Sequence, residues 1–173
     1  MRGVTRLLAG LCLIALGACS HQYTPSPDRP FEAITEFTST QAVALRNGQQ
    51  AKLEVAFFNQ RNSVWYGDLR EWTDVAIAIA GRELGKRGMR VTPGAGKWLR
   101  LTVTSAVTEA ELATVGTKVQ MRVETSEGYA TTYTGHNSAG FMANLPRQVD
   151  GAMMRVVVEM LRDPAIVRFL QQE

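Results

Sequence analysis

Cysteine is almost missing from this chain. Of its 173 residues only Cys12 and Cys19 carry thiols, and both sit near the start. Nothing beyond them can form a disulfide, so an ordinary apolar core must hold the fold. Histidine is equally scarce, with only His21 and His136. No group of His, Cys and carboxylates has metal-ligand spacing, so no metal and no cofactor is expected. A long hydrophobic run is lacking as well. Residues 7–16 are apolar apart from Gly10, but about 20 such residues are needed to cross a hydrocarbon core of ~30 Å. There is no excess of one charge. The chain has 19 Lys and Arg against 16 Asp and Glu, and without Arg2 and Arg6 the count is 17 against 16. That balance gives no case for nucleic-acid binding. No Gly-x-Ser-x-Gly elbow is present, and Gly94-Ala95-Gly96 lacks the Lys-Ser/Thr needed to cradle a phosphate.

The start of the chain is the informative part. Arg2 and Arg6 precede the apolar stretch, which ends in Leu16-Gly17-Ala18-Cys19. A basic n-region, a short apolar h-region and small residues before the cut describe a signal peptide over residues 1–18, which takes no part in the fold. Leu16-Gly17-Ala18-Cys19 resembles the bacterial lipobox, in which the cysteine is acylated and becomes the new N-terminus. The resemblance implies lipidation of Cys19 and anchoring by two or three acyl chains, at about 0.8 kcal/mol per buried CH₂. Ser20 follows the cysteine in place of the Asp that resembles an inner-membrane retention signal. By likeness to Gram-negative lipoproteins, this implies the outer membrane, with the domain facing the periplasm.

Residues 19–39 read as the lipidated cysteine and a tether, because Pro25, Pro27 and Pro30 interrupt any regular element. Twenty such residues span roughly 65–70 Å when extended and roughly 25 Å as a coil. Docking of Phe31, Ile34 and Phe37 onto the domain remains open. Residues 40–173 read as one domain.

Within it, residues 41–45 and 51–58 are apolar runs around Asn47-Gly48, the pattern of a hairpin with a longer loop. A loop over residues 59–67 then carries Trp65 and Tyr66. Asp68, with Glu71 three residues on, resembles a capping box. Trp72, Val75, Ala76, Ile79, Ala80 and Leu84 form a helical stripe that ends at Gly88. Strands are expected over 89–92, 98–107, 117–125 and 129–135, with one apolar and one polar face. After a loop over 137–144, Pro146 opens a second long helix, and Asp163-Pro164 starts a short third one. The predicted fold is α+β, a two-layer sandwich of a mostly antiparallel sheet with two long helices on one face.

The lipobox, the Pro-rich segment, the strand leading into a capped helix, the exit from Leu84 to Gly88, the meander and the C-terminal helix together resemble the small YajG-type lipoproteins. They also resemble the auxiliary lipoproteins of envelope transport systems. LptE-type assembly lipoproteins share the lipobox and an α+β sandwich. The resemblance implies a non-catalytic accessory or assembly component of an envelope complex, in transport or secretion. The alternatives are a periplasmic lipid or glycan carrier and an LptE-like assembly factor. The partners implied are the outer membrane, through the acyl chains on Cys19, and an envelope protein complex. A homo-oligomer stays open.

No residue is assigned to catalysis. His136 near Ser138 reads as a strand-end polar residue, and Glu109-Ala110-Glu111 as solvated charge. The candidate binding residues are Trp65 and Tyr66, with Arg61 and Arg70 nearby, and Phe141 and Met142 at an apolar loop tip. The polar sheet face of Lys118, Gln120, Arg122 and Glu124 is a third candidate.

Overall fold

The structure is a computed structural model that describes residues 19–28, 37–60, 63–110, 114–140 and 144–172. The leader, Phe31, Ile34, Arg61, Glu111, Phe141 and Met142 lie outside these residues, and so does what was expected of them. Eleven elements follow in order: β1 (Cys19–Gln22), β2 (Ala42–Asn47), β3 (Glu54–Gln60), β4 (Ser63–Asp68), α1 (Leu69–Lys86), β5 (Arg90–Val91), β6 (Trp98–Ala110), β7 (Thr114–Thr125), β8 (Ala130–Gly140), α2 (Leu145–Arg162) and α3 (Pro164–Gln171). They form a five-stranded sheet in the order β5-β2-β6-β7-β8 and a three-stranded sheet in the order β1-β4-β3. In the larger sheet α1 packs on β2 and β6, α2 packs on β7 and β8, and the two helices touch each other. This is the expected α+β sandwich with both long helices on one face.

The core follows the strand alternation. Leu99, Leu101, Val103, Val119, Met121 and Val123 are fully buried beneath Trp72, Ile79, Leu84, Met153, Val156, Val157 and Met160. Antiparallel pairing joins β6 to β7 and β7 to β8. The β7–β8 turn is closed by Gly128 at φ +88°, a conformation that only glycine takes readily. The sheet is mixed, because β2 runs parallel to both β6 and β5.

Helix α1 starts at the predicted cap. The Asp68 carboxylate accepts hydrogen bonds from the Arg70 N–H at 3.0 Å and the Leu53 N–H at 3.1 Å. Glu71 does not complete the box; it accepts a hydrogen bond from the Thr24 hydroxyl at 2.7 Å. Gly88 ends the helix at φ +85°. Ala76 and Ala80 are fully buried and let the helix lie close on the sheet, while Ala78 faces solvent.

Three expectations are corrected. Residues 41–45 and 51–58 do not form a hairpin. Strand β2 joins the large sheet beside β6, and β3 pairs with β4. Gly48 continues the β2–β6 ladder with its N–H donating to the Leu101 carbonyl at 2.7 Å, and a Cβ there would stand 2.0 Å from Thr102 Oγ1. Asn47 turns its amide to Asp74 at 2.7 Å, tying the strand end to α1. Close approach, and not a tight turn, is what the glycine provides. Second, Trp65 and Tyr66 lie in strand β4, not in a loop. Third, Cys19–Gln22 is not free tether. It is an edge strand paired in parallel with β4. Phe37, at the far end of the expected tether, is buried.

Asp163 closes the other end of the fold. Its carboxylate caps α3 by accepting the Ala165 N–H at 2.7 Å, and it also accepts the Tyr133 hydroxyl at 2.5 Å and the Tyr129 hydroxyl at 3.1 Å. Burial pushes its pKa up, but the hydrogen bonds from Tyr133 and the Ala165 N–H outweigh this and hold it below the ordinary range. Burial and then the Asp163 carboxylate push the Tyr133 phenol far above its ordinary range. A depressed folded-state pKa gives stability above the unfolded value, lost as pH falls through the folded one. Asp163→Asn is therefore expected to cost stability near neutral pH, with the gap to wild type closing below about pH 4. Urea midpoints of the two proteins across this range check it. A gap that stays constant with pH would show that the carboxylate's charge contributes nothing.

Candidate functional site

Two places draw together residues of functional interest. The first is the seam at the start of the described chain. Cys19 is an exposed free thiol whose backbone pairs with Ser63. Two residues on, His21 stacks on Trp65 with ring centroids 4.6 Å apart. The Trp65 ring also meets Tyr23 and Phe57 edge-on at 6.3 and 6.5 Å, and its Nε1 donates to Ser63 Oγ at 3.1 Å. Trp65 and Tyr66 are thus half-buried strand residues. The β1 strand covers β4, which a reading of residues 59–67 as a loop did not allow for.

The chain after β1 is held by side chains from several elements. The Tyr23 hydroxyl donates to Asp150 Oδ1 at 2.6 Å, and the Ser26 N–H donates to the same oxygen at 2.9 Å. The Tyr23 carbonyl accepts Trp72 Nε1 at 3.0 Å, and the Pro27 carbonyl accepts Arg82 Nη1 at 2.6 Å. A buried carboxylate that receives two donors from one segment pins that segment well, because hydrogen bonds to charged groups are the stronger kind. Asp150 carried no sequence signal for this role, since its partners lie more than a hundred residues away in the chain.

The second place is a trough on the outer face of β6, β7 and β8. A bulge at Thr104 breaks the β6–β7 register between Val103 and Ser105 and re-aims the rest of β6, as bulges do. Beyond it Ser105, Val107 and Glu109 share the outer face with Gly116, Lys118, Gln120, His136 and Ser138, around a trough of about 440 Å³. Val107, Lys118 and His136 form one cross-strand row; Glu109, Gly116 and Ser138 form the next. Gly116 makes room for the His136 ring, since a Cβ there would stand 3.1 Å from Nε2. Glu109 is therefore a strand residue of the trough and not loop charge. His136 lies within β8, which runs on to Gly140 where a loop was expected. The trough offers hydroxyl, amide, imidazole, ammonium and carboxylate groups. In the structure the bulge shows as a slip in the buried positions of β6, from Val103 to Ala106 after a strict alternation.

Toward the other end of the polar face the charged groups pair with one another. Glu124 accepts Arg122 Nε at 2.9 Å and Arg100 Nη1 at 3.2 Å, and the bond from Arg122 draws its pKa down. Arg46 and Arg100 both lie over the Trp98 ring, at 4.9 and 5.0 Å. Among the described residues no three His, Cys, Asp or Glu side chains gather as a metal site requires. Among the same residues no helix is long and apolar enough to cross a membrane.

No protein-family model matches the chain, and no curated protein matches it. Among solved structures it is similar to a Xanthomonas campestris protein of the DUF330 family, at 11% identity and a TM-score of 0.47, over 86% of this chain and 94% of that one. It is also similar to a minor lipoprotein of Acinetobacter baumannii, at 14% identity and a TM-score of 0.35, over 77% of this chain and 92% of that one.

Proposed function

We propose that this chain is a lipoprotein of the outer membrane, anchored through Cys19 and facing the periplasm, that acts without catalysis as an accessory or assembly component of an envelope complex. The observation that carries the reading is Leu16-Gly17-Ala18-Cys19 after a short basic and apolar leader. An exposed thiol at the first described residue is compatible with acylation there. The carrier reading calls for an apolar cavity between sheet and helices. Against it stand the fully buried Ala76 and Ala80, which bring α1 close to the sheet. The trough on the outer sheet face is a polar surface suited to a protein edge or a hydroxyl-rich ligand.

The test is in vivo crosslinking, gentle solubilisation of envelopes and affinity purification of the intact lipoprotein, followed by mass spectrometry. A stoichiometric envelope protein is the expected result. Recovery with only lipid or glycan would overturn the accessory role in favour of a carrier, and recovery as a uniform oligomer alone would overturn it in favour of a self-assembling ring.

A further inference from the structure

We infer that the domain is held directly on the bilayer in one orientation, with the Cys19 end of the β1-β4-β3 sheet against the lipid headgroups and the far end of α1 pointing away. The inference rests on the lipid anchor proposed above. Its first support is the absence of slack. Cys19 is itself the first residue of β1 and pairs with Ser63, so no flexible residue separates an acyl group on its sulfur from the sheet. A lipid-bearing side chain spans only a few bonds, whereas a twenty-residue coil would allow roughly 25 Å of free travel.

The second support is direction. From Cys19 the chain follows β4 and then α1. Thr24 meets Glu71 and Tyr23 meets Trp72 in the first turn, whereas Pro27 meets Arg82 three turns later. Cys19 therefore marks the end from which α1 starts. The 18 residues of α1 carry the chain about 27 Å away from it. At the far end Arg87 meets Ser39, and Arg90 and Val91 join the start of β2. The third support is rigidity, since the two bonds to Asp150 join the segment to α2 as well as to the sheet and α1.

The fourth support is chemistry. His21 and Trp65 form a stacked pair two residues from the anchor, and amphipathic rings of this kind favour the boundary between headgroups and water. One consequence concerns the trough. Tyr23 reaches the first two turns of α2 at Pro146 and Asp150, and Asn137 of β8 reaches the same end of the helix at Gln148. The Ser138 rim of the trough thus lies in the half of the domain that this orientation brings toward the membrane, where a partner would meet it at the surface.

The experiment uses the full lipoprotein, whose acylated form has no other thiol. Single cysteines are placed at Gln60, which pairs with Ser63 beside the anchor, and at Gly94, an exposed turn near the start of β2 where a Cβ would touch nothing within 4 Å. Each is labelled with a fluorophore and reconstituted in phosphatidylethanolamine and phosphatidylglycerol vesicles with nitroxide-labelled headgroups. The expected result is loss of most of the fluorescence at Gln60→Cys and little at Gly94→Cys. Inserting about ten Ser and Gly residues after Cys19, with a reach of roughly 17 Å, should abolish that difference. Equal quenching at both sites in the linker-free protein overturns the orientation. The mass of the N-terminal peptide, read on the same sample, separates this from failure of the anchor. If Cys19 carries no acyl group, both readings fall together.

Discussion

Replacing Cys19 with serine is expected to leave the precursor unlipidated and to remove the protein from the outer-membrane fraction. The hydroxyl is smaller than the thiol and lacks its nucleophilicity, because thiolates and not alcohols attack readily near neutral pH. Without acyl chains the anchoring energy of about 0.8 kcal/mol per CH₂ is gone, so the membrane-bound share should fall by roughly tenfold or more. The fold should survive. Cys19 is exposed, and its contribution to β1 is made by the backbone pairing with Ser63, which serine keeps. Cell fractionation, palmitate labelling and a thermal melt of the mature domain check the three parts. Wild-type recovery from the outer membrane would sink the anchor reading.

Gly135→Ala is expected to be the most damaging small substitution in the domain. Gly135 pairs with Val119 in the β7–β8 ladder and faces α2. A Cβ there would stand 2.1 Å from the Ala152 carbonyl oxygen, 2.4 Å from the Val156 nitrogen and 2.9 Å from its Cβ. Two of these are backbone atoms of a buried helix, so no rotamer change can relieve the clash and α2 must shift as a body. Overpacking of this kind costs about 3 kcal/mol, or a fall in Tm of roughly 6–12 °C for a domain of this size. Gly94→Ala is the control. Its Cβ meets nothing within 4 Å, and exposed substitutions of that sort stay within about 0.5 kcal/mol. Equal melting of both variants would show that α2 does not pack on β8 as described.

Much of the domain was legible because short-range patterns carried it. The alternation of Val119, Met121 and Val123 against Lys118, Gln120 and Arg122 announced β7, and the stripe from Trp72 to Leu84 with Asp68 and Gly88 at its ends announced α1. Asp163-Pro164 likewise announced the cap of α3. Each signal lies within one turn or one strand of the residue it governs. The site was less legible. Trp65 and Tyr66 read as part of a loop because the strand that covers them, β1, comes from about forty residues earlier and pairs in parallel. Parallel pairing leaves no turn in the sequence by which to recognise it. Asn47-Gly48 misled for the related reason that Gly supports close approach as readily as a hairpin turn.

By itself the sequence determined the two-layer α+β architecture, the helix boundaries, the dominant strands and the candidacy of Cys19, all of which rest on local periodicity and on a contiguous motif. Only the tertiary structure decided that residues 19–28, with Pro25 and Pro27, are built into the domain. Pro25 and Pro27 rule out a helix there, but they do not prevent an irregular chain from docking when Asp150, Trp72 and Arg82 supply partners for its backbone. The tertiary structure also decided that the outer sheet face curls into a trough, because one unpaired residue at Thr104 re-aims half a strand. Both outcomes depend on contacts between residues far apart in the chain, and no local pattern encodes such contacts.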